Sequence, residues 1–294
     1  MSIMTQLEFE LDFSESEKTI ARYILNNGEE VLNMSVQQLA KVTYTSPATI
    51  VRLCKKIGLK GYHDFKIKYS ALLQYDYKHK DRIDVNFPFD QNDSYHSISF
   101  KLASLTQEVI EDTIQLIDFD ILEKVVDLLD QANEIDLYGS SNSLLCALSF
   151  QHKMMRIGKN VNARLIHGEQ AFLSSVSNEH KVAIIVSYSG ETQEIVKIAD
   201  TLKQRKTPIV LLTSVGDNKL SHYASYILNI DSREKIFSKI APFSSSISIE
   251  YLFNIIYSCI FQKNYQENIN TKISFDKVND SRHPLSSPIT EKDA

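Results

Sequence analysis

Lys181-Val182-Ala183-Ile184-Ile185-Val186-Ser187-Tyr188-Ser189-Gly190-Glu191-Thr192 is an apolar run that empties into a turn of hydroxyl-bearing residues and glycine. Residues 182–186 are too few for a helix of their own, and 191–202 then recur with helical period, so the stretch reads strand, polar turn, helix. The first N–H groups of a helix have no partner inside it and carry the positive end of its dipole, which stabilises an anion without any full charge. Gly190 permits close approach of the backbone, and the hydroxyls of Ser187, Ser189 and Thr192 can donate to phosphate oxygens. The same residue types also serve as turn formers and N-caps, which accounts for at least one of the three hydroxyls.

A second segment has the same form. Residues 134–138 are apolar enough for a strand and run into Gly139-Ser140-Ser141-Asn142, followed by a helix from about 143 to 157. The turn after Val186 resembles the Ser-x-Ser-Gly-x-Thr signature of sugar isomerase (SIS) domains, which bind phosphosugars. The resemblance implies that Ser187, Ser189 and Thr192 grip the phosphate, and that Gly139 and Ser141 are the Gly-x-Ser turn whose serine also reaches it. Asn142 stands where relatives often carry glycine. Ser140, Gly190 and Glu191 complete the two turns, and His167 and Glu169 are candidates for contact with sugar hydroxyls.

Outward from these turns the chain alternates. Strands are expected at 134–138, 161–166, 182–186, 208–212 and 226–230, with helices between them and a closing helix over 247–261. Such alternation predicts a parallel sheet with helices on both faces, the flavodoxin-like three-layer arrangement that the SIS resemblance also implies. Ligands of these sheets sit at the carboxyl ends of strands, where both serine-rich turns fall. An amphipathic helix over 98–117 precedes the sheet, able to pack on its own domain or on a second subunit.

The N-terminal part has a different character. The chain carries a formal charge of −5, yet residues 41–80 hold nine basic residues against two acidic ones. A basic block in an acidic chain is the footprint of a nucleic-acid reader. Ser14 with Glu17 forms a capping-box pattern ahead of Ile20, Tyr23 and Ile24, and Asn27-Gly28 ends that helix before a short turn of helix over 29–32. Ser35 caps a second helix over 36–42. After a four-residue break Ser46 caps a third, with Pro47 at its first position and Gly58 at its end. Two short helices about a tight turn, the second basic, predict a helix-turn-helix, an all-α domain preceding the α/β one. Ser46, Ala48, Thr49 and Arg52 are placed to meet base edges or phosphates, while Lys55, Lys56 and Lys60 suit phosphate contacts. Each of these lysines also suits the solvated face of an ordinary surface helix.

Residues 14–66 resemble the N-terminal domain of RpiR-type transcriptional regulators, through Ser16-Glu17-Lys18, Ile20-Ala21, Tyr23-Ile24, the run from Glu30 to Ser35, Leu39-Ala40, the run from Ser46 to Gly58, and Gly61-Tyr62 with Asp64-Phe65-Lys66. That family joins such a domain to a C-terminal SIS domain, and the resemblance spans roughly 14–262. It implies a helix-turn-helix domain over 1–76 and a phosphosugar-binding domain over 97–267, while polar composition marks 77–96 as a linker and 268–294, with scattered proline and serine, as a disordered tail. The partners it implies are double-stranded operator DNA, a phosphosugar effector and a second copy, as homodimer or dimer of dimers.

No apolar run is long enough to span a membrane, residues 1–12 are acidic and lack the basic region, apolar core and small-residue cleavage site of a signal peptide, and the expected location is cytoplasmic. Cys54, Cys146 and Cys259 lie far apart inside apolar helical patterns and are expected as buried thiols, with no metal site and no cofactor. The alternative is a sugar-phosphate isomerase or lyase on the same scaffold, for which His167, Glu169 and Glu191 are the general-base candidates. It leaves the basic N-terminal domain unexplained, so no catalytic residue is assigned.

Overall fold

Three local caps start the N-terminal helices. In this computed structural model, which describes residues 3, 6, 7, 10, 13–78 and 82–279, the Ser14 hydroxyl accepts from Glu17 N while the Glu17 carboxylate accepts from Ser14 N at 2.8 Å. This reciprocal pair opens α1 (Glu15–Leu32), which kinks at Gly28 with φ 39° and ψ −112°, the break expected after Asn27. Ser35 with Gln38 forms a second capping box for α2 (Val36–Val42), and Ser46 with Pro47 opens α3 (Pro47–Lys56). With α4 (Tyr62–Lys78) these helices enclose one core, of which Ile20, Ile24, Leu39, Ile50, Leu53, Phe65 and Tyr69 are almost wholly buried. Fully burying one such side chain is worth about 1.5–3 kcal/mol.

Next come α5 (Tyr95–Leu116) and α6 (Phe119–Gln131). Helix α6 was not expected, although Leu122, Val125, Val126 and Leu129 recur at helical spacing and are all buried in it. The alternating part follows as β1 (Glu134–Gly139), α7 (Ser141–Met155), β2 (Val161–Ala163), α8 (His167–Ser175), β3 (Lys181–Val186), α9 (Gln193–Gln204), β4 (Ile209–Ser214), a 3₁₀ turn (Lys219–His222) and β5 (Tyr226–Ile230). The chain then runs through α10 (Phe243–Lys263) to α11 (Tyr265–Asn279).

The sheet has five strands in the order β2-β1-β3-β4-β5, all pairs parallel. Period-2 alternation sends side chains to two covers. Leu137, Ile184, Val210, Leu212 and Leu228 face a core built with α6, α7 and α10, whereas Tyr138, Ala183, Ile185, Ile209 and Leu211 face one built with α8 and α9. Helix α5 packs within its own domain, with Leu105, Val109 and Thr113 buried and the Thr113 hydroxyl donating to Ser248 Oγ at 2.9 Å.

Several expectations change. Strand β2 ends at Ala163 rather than 166, because its register with β1 stops at Leu137↔Ala163 and Leu165 and Ile166 stand exposed. Part of the expected linker is packed on the C-terminal domain: Val85 is 3 % exposed among Leu105, Val109 and the half-buried Ile83, Phe243 and Ile247. Residues 268–279 of the expected disordered tail are helical, as part of α11; Asn268 anchors that helix by donating to the Phe261 carbonyl, and Arg156 pairs with Asp276. The rest of that tail, 280–294, lies outside the described residues. Cys54 and Cys146 are buried as expected, while Cys259 is only half-buried.

Candidate functional site

The strand order makes the site. Strand β1 connects outward to β2 on one side while β3 leads to β4 and β5 on the other, so the crevice beyond the carboxyl ends of β1 and β3 is where the sheet changes direction. Helices α7 and α9 both begin at that end, immediately after the two strands. A cleft of about 190 Å³ opens there, lined by Ser140, Ser143, Val186, Ser187, Tyr188, Ser189, Thr192, Ile236 and Lys239. Among the described residues none hydrogen-bonds the hydroxyl of Ser140, Ser143, Ser187 or Thr192, and Ser140 and Thr192 make no side-chain cap bond to the helices they precede. The Ser189 hydroxyl accepts from Glu191 N at 3.2 Å.

Two glycines hold the turns in place for different reasons. Gly190 has φ +66°, and a Cβ there would lie 2.0 Å from Asn218 Oδ1. The φ of Gly139 is unexceptional, but a Cβ on it would meet Val186 O at 3.0 Å and Leu144 N at 3.3 Å, so glycine lets β1, β3 and α7 close up. Gln170 of α8, 1 % exposed, fixes the same glycine by accepting from Gly139 N at 3.2 Å and donating to Gly139 O at 3.0 Å.

The structure thus gathers Ser140, Ser187, Ser189 and Thr192 of the expected site in one cleft, with Gly139 and Gly190 shaping it. Ser141 has φ 51° and is exposed; Ser143, one helical turn past Ser140, stands in the wall instead. Glu191 is exposed and turned to Lys219, accepting from its N–H at 3.0 Å and its ammonium at 2.8 Å, and these bonds hold its carboxyl below the usual glutamate range. Glu169 lies exposed in the first turn of α8 and does not line the cleft. His167 opens α8, but its side chain lies outside the described part of the structure.

Sequence reasoning missed Ser143, Ile236 and Lys239. The signal for Ser143 was its place in the first turn of the helix after the glycine. Ile236 and Lys239 carry no such signal, since 231–242 has neither helix nor strand. That segment is held by the cleft itself. Tyr188 donates its phenol to Glu234 O at 2.6 Å, and burial, with Glu234 and Asp231 nearby, pushes this phenol up and keeps it neutral. Lys239 lies 5.0 Å from the Tyr188 ring centroid and pairs at 2.8 Å with Glu234, whose carboxylate also accepts from Ser245 N and Oγ.

On the N-terminal domain Ser46, Ala48, Arg52, Lys55, Lys56 and Lys60 are exposed and Thr49 half-buried, on or just beyond α3. Ser46 accepts from Thr49 N at 3.1 Å, and the two hydroxyls bond each other at 2.9 Å. Arg52 exposes 68 % of its side chain, yet its Nε lies 3.4 Å from Glu17, which also pairs with Lys56 at 3.1 Å. Burial raises the Glu17 carboxyl, but the Ser14 N–H, Lys56 and the Ser14 hydroxyl outweigh it and leave the group below its usual range. The basic block is not all outward: Lys66 donates to the carbonyls of Leu32 and Met34 at the end of α1, and Lys68 pairs with Asp64. Tyr44, in the turn before α3, is 97 % exposed with φ 53° and was not singled out from the sequence.

Among the described residues no cluster of side chains has metal-binding geometry, and no helix is long and apolar enough to cross a membrane. A helix-turn-helix domain joined to an SIS-type sheet with a hydroxyl-lined cleft defines a class of two-domain transcriptional regulators, and the comparisons agree. Residues 1–75 match the rpiR-family helix-turn-helix domain and 128–254 the SIS domain. An uncharacterized HTH-type transcriptional regulator of Caldanaerobacter subterraneus subsp. tengcongensis is 32 % identical over 280 residues, covering 92 % of this chain and 96 % of the relative. The chain belongs to the RpiR family of helix-turn-helix transcriptional regulators. HexR of Pseudomonas aeruginosa is 27 % identical over 216 residues, 73 % of this chain and 74 % of its own. The Vibrio vulnificus NanR protein complexed with ManNAc-6P superposes with TM-score 0.58 at 26 % identity, over 94 % of this chain and 97 % of that one.

Proposed function

We propose that this regulator senses a sugar phosphate in the cleft between β1 and β3 and thereby controls binding of its helix-turn-helix to operator DNA. The observation that carries the reading is that Ser140, Ser143, Ser187 and Thr192 line one cleft beside two helix N-termini, their hydroxyls without a hydrogen-bond partner among the described residues. Such an array suits a phosphate, and Lys239 adds a cation at the rim. NanR, similar over nearly the whole chain, is complexed with ManNAc-6P, which makes an amino-sugar phosphate the first effector to test. In this reading residues 1–76 read DNA in the cytoplasm as part of a homodimer, 97–267 sense the effector, and α3 enters the major groove with Arg52 nearest the base edges.

The regulator reading is preferred to an isomerase or lyase. The curated relatives are named transcriptional regulators, and Glu191, one of the three general-base candidates, is held ionised by Lys219 outside the cleft wall.

The test is thermal stabilisation of the purified protein by ManNAc-6P, glucosamine 6-phosphate, glucose 6-phosphate and ribose 5-phosphate, each beside its unphosphorylated sugar. A true effector at a hundredfold excess over its dissociation constant stabilises by about 2.7 kcal/mol. Equal stabilisation by the free sugars, or turnover of any of these phosphates, would overturn the reading.

A further inference from the structure

The cleft and the chain arriving from the DNA-reading domain are held by opposite sides of one loop. Between β5 and α10, residues 231–242 form neither helix nor strand. On one side Glu234 O accepts from Tyr188, and Ile236 and Lys239 line the cleft. On the other side the loop clasps Asn86, which is 7 % exposed. Lys235 N donates to Asn86 Oδ1 at 2.7 Å, Asn86 Nδ2 donates to Arg233 O at 3.4 Å, and Ile240 N donates to Asn86 O at 2.9 Å. Residues 234, 235 and 236 therefore alternate between cleft, Asn86 and cleft.

The segment before Asn86 is tied down as well. Asp84 Oδ1 accepts from Asn86 N at 2.8 Å, Ile83 N donates to Glu108 at 3.3 Å, and Arg82 pairs with Asp112 at 3.1 Å. Arg233, from the same loop, pairs with Glu108 and Asp112 too, at 3.3 and 3.2 Å. Residues 82–86 are thus fastened to the loop by Asn86 directly and through α5 by shared carboxylates.

We infer that Asn86 is the positioning residue through which occupancy of the cleft reaches the DNA-reading domain. A ligand that draws Ile236 or Lys239 toward itself moves Lys235 and Arg233 with them, since they are adjacent in the chain. Their backbone groups hold Asn86, so residues 82–86, and the domain they lead from, must follow or let go. The ligand shifts the equilibrium only to the extent that it binds one arrangement better, and coupling between two such sites is typically 5–150-fold and reciprocal. Among the described residues Asn86 makes no hydrogen bond to a cleft-lining residue or to α3, so its effect falls on the coupling and not on either affinity alone. The inference rests on the sugar-phosphate reading of the cleft.

The experiment uses the full chain, a DNA duplex selected by it from a random pool, and the four sugar phosphates above, with inorganic phosphate as control. The DNA dissociation constant is measured with and without the sugar phosphate that shifts the native protein most, expected to be at least fivefold. Asn86→Ala should bind that sugar phosphate within threefold of the native protein while its DNA response falls below twofold. A second variant, with Gly-Ser-Gly-Ser inserted before Arg82, leaves Asn86 and its contacts untouched and should lose the response in the same way. An undiminished response in the insertion variant, or in Asn86→Ala with its sugar-phosphate affinity intact, overturns the relay. A native protein that answers to none of the four fails earlier: the sensor reading falls, and the relay with it.

Discussion

Replacing Gly190 by alanine tests the turn on which the site depends. The backbone there has φ +66°, where a residue with a Cβ costs roughly 1–2 kcal/mol. The new methyl would also lie 2.0 Å from Asn218 Oδ1, 2.1 Å from its Cγ and 2.7 Å from its Cβ. Because the Asn218 Cβ is itself too close, a change of rotamer does not relieve the clash, and Asn218 must move bodily. It then gives up the bond its Oδ1 accepts from Ser221 N at 3.1 Å and the one its Nδ2 donates to Thr213 Oγ1 at 3.3 Å. At about 0.5–1.5 kcal/mol for each bond, the total is about 2–5 kcal/mol. Urea denaturation of the full chain measures it, with amide hydrogen exchange in β3 and β4 assigning the transition to the sheet. In an Asn218→Gly background the clash is absent and only the backbone cost remains, so Gly190→Ala should cost at least about 1 kcal/mol less there than in the native protein. If the two substitutions add to within about 0.5 kcal/mol, Asn218 is not what Gly190 makes room for.

Other expectations concern ligand, DNA and pH. Ser189→Ala combined with Thr192→Ala should abolish the response to sugar phosphates while DNA binding persists, and Ser143→Ala alone should weaken sugar-phosphate binding; titration calorimetry and gel shift read both. Arg52→Ala should lower affinity for the selected duplex by about 1–3 kcal/mol and leave random DNA unaffected, an equal loss on both marking it as a phosphate contact. Asp93 is pulled down to about 2, first by its bond from the Lys101 ammonium and then by the Asp90 N–H and the Ser97 hydroxyl. Its folded value is depressed, so its stabilisation is complete above the unfolded value near 3.8 and disappears as pH falls through about 2. Asp93→Asn should accordingly lower the melting temperature at pH 6 and converge with the native protein toward pH 2. A gap that stays constant would place its cause outside this titration.

What the sequence disclosed was local. Ser14 with Glu17 reads as a pair and Ser35 and Ser46 as caps; their bonds, to Glu17, Gln38 and Thr49, each cross three residues, and bonds so short leave a pattern along the chain. The short apolar run of β3 was legible because a strand buried on both faces carries no polar alternation, whereas β1, with Glu134 and Asp136 in it, was legible mainly by the glycine-serine turn that follows. The misses are tertiary. Ile236 and Lys239 reach the cleft because a Tyr188 phenol catches a carbonyl 46 residues later in an aperiodic loop. Asn86 looked like linker because nothing in Asn-Phe-Pro-Phe announces a partner near residue 235. Ser143 was overlooked for a different reason: three serines share one turn, and only the direction of α7 decides which of them face inward.

The buried carboxylate of Glu17 bears on how such a regulator can diverge. A lineage that changes its operator does so through outward positions of the reading helix, and here two of them, Arg52 and Lys56, share Glu17 with the cap of α1. Neutral residues at both would strand a negative charge in the domain's core layer, an arrangement that typically costs several kcal/mol. A change at residue 17 would in turn loosen the first helix. New DNA preferences are therefore reached more readily through Ala48, Lys55 and the turn around Tyr44, and the 17–52–56 triad is expected to change together or not at all.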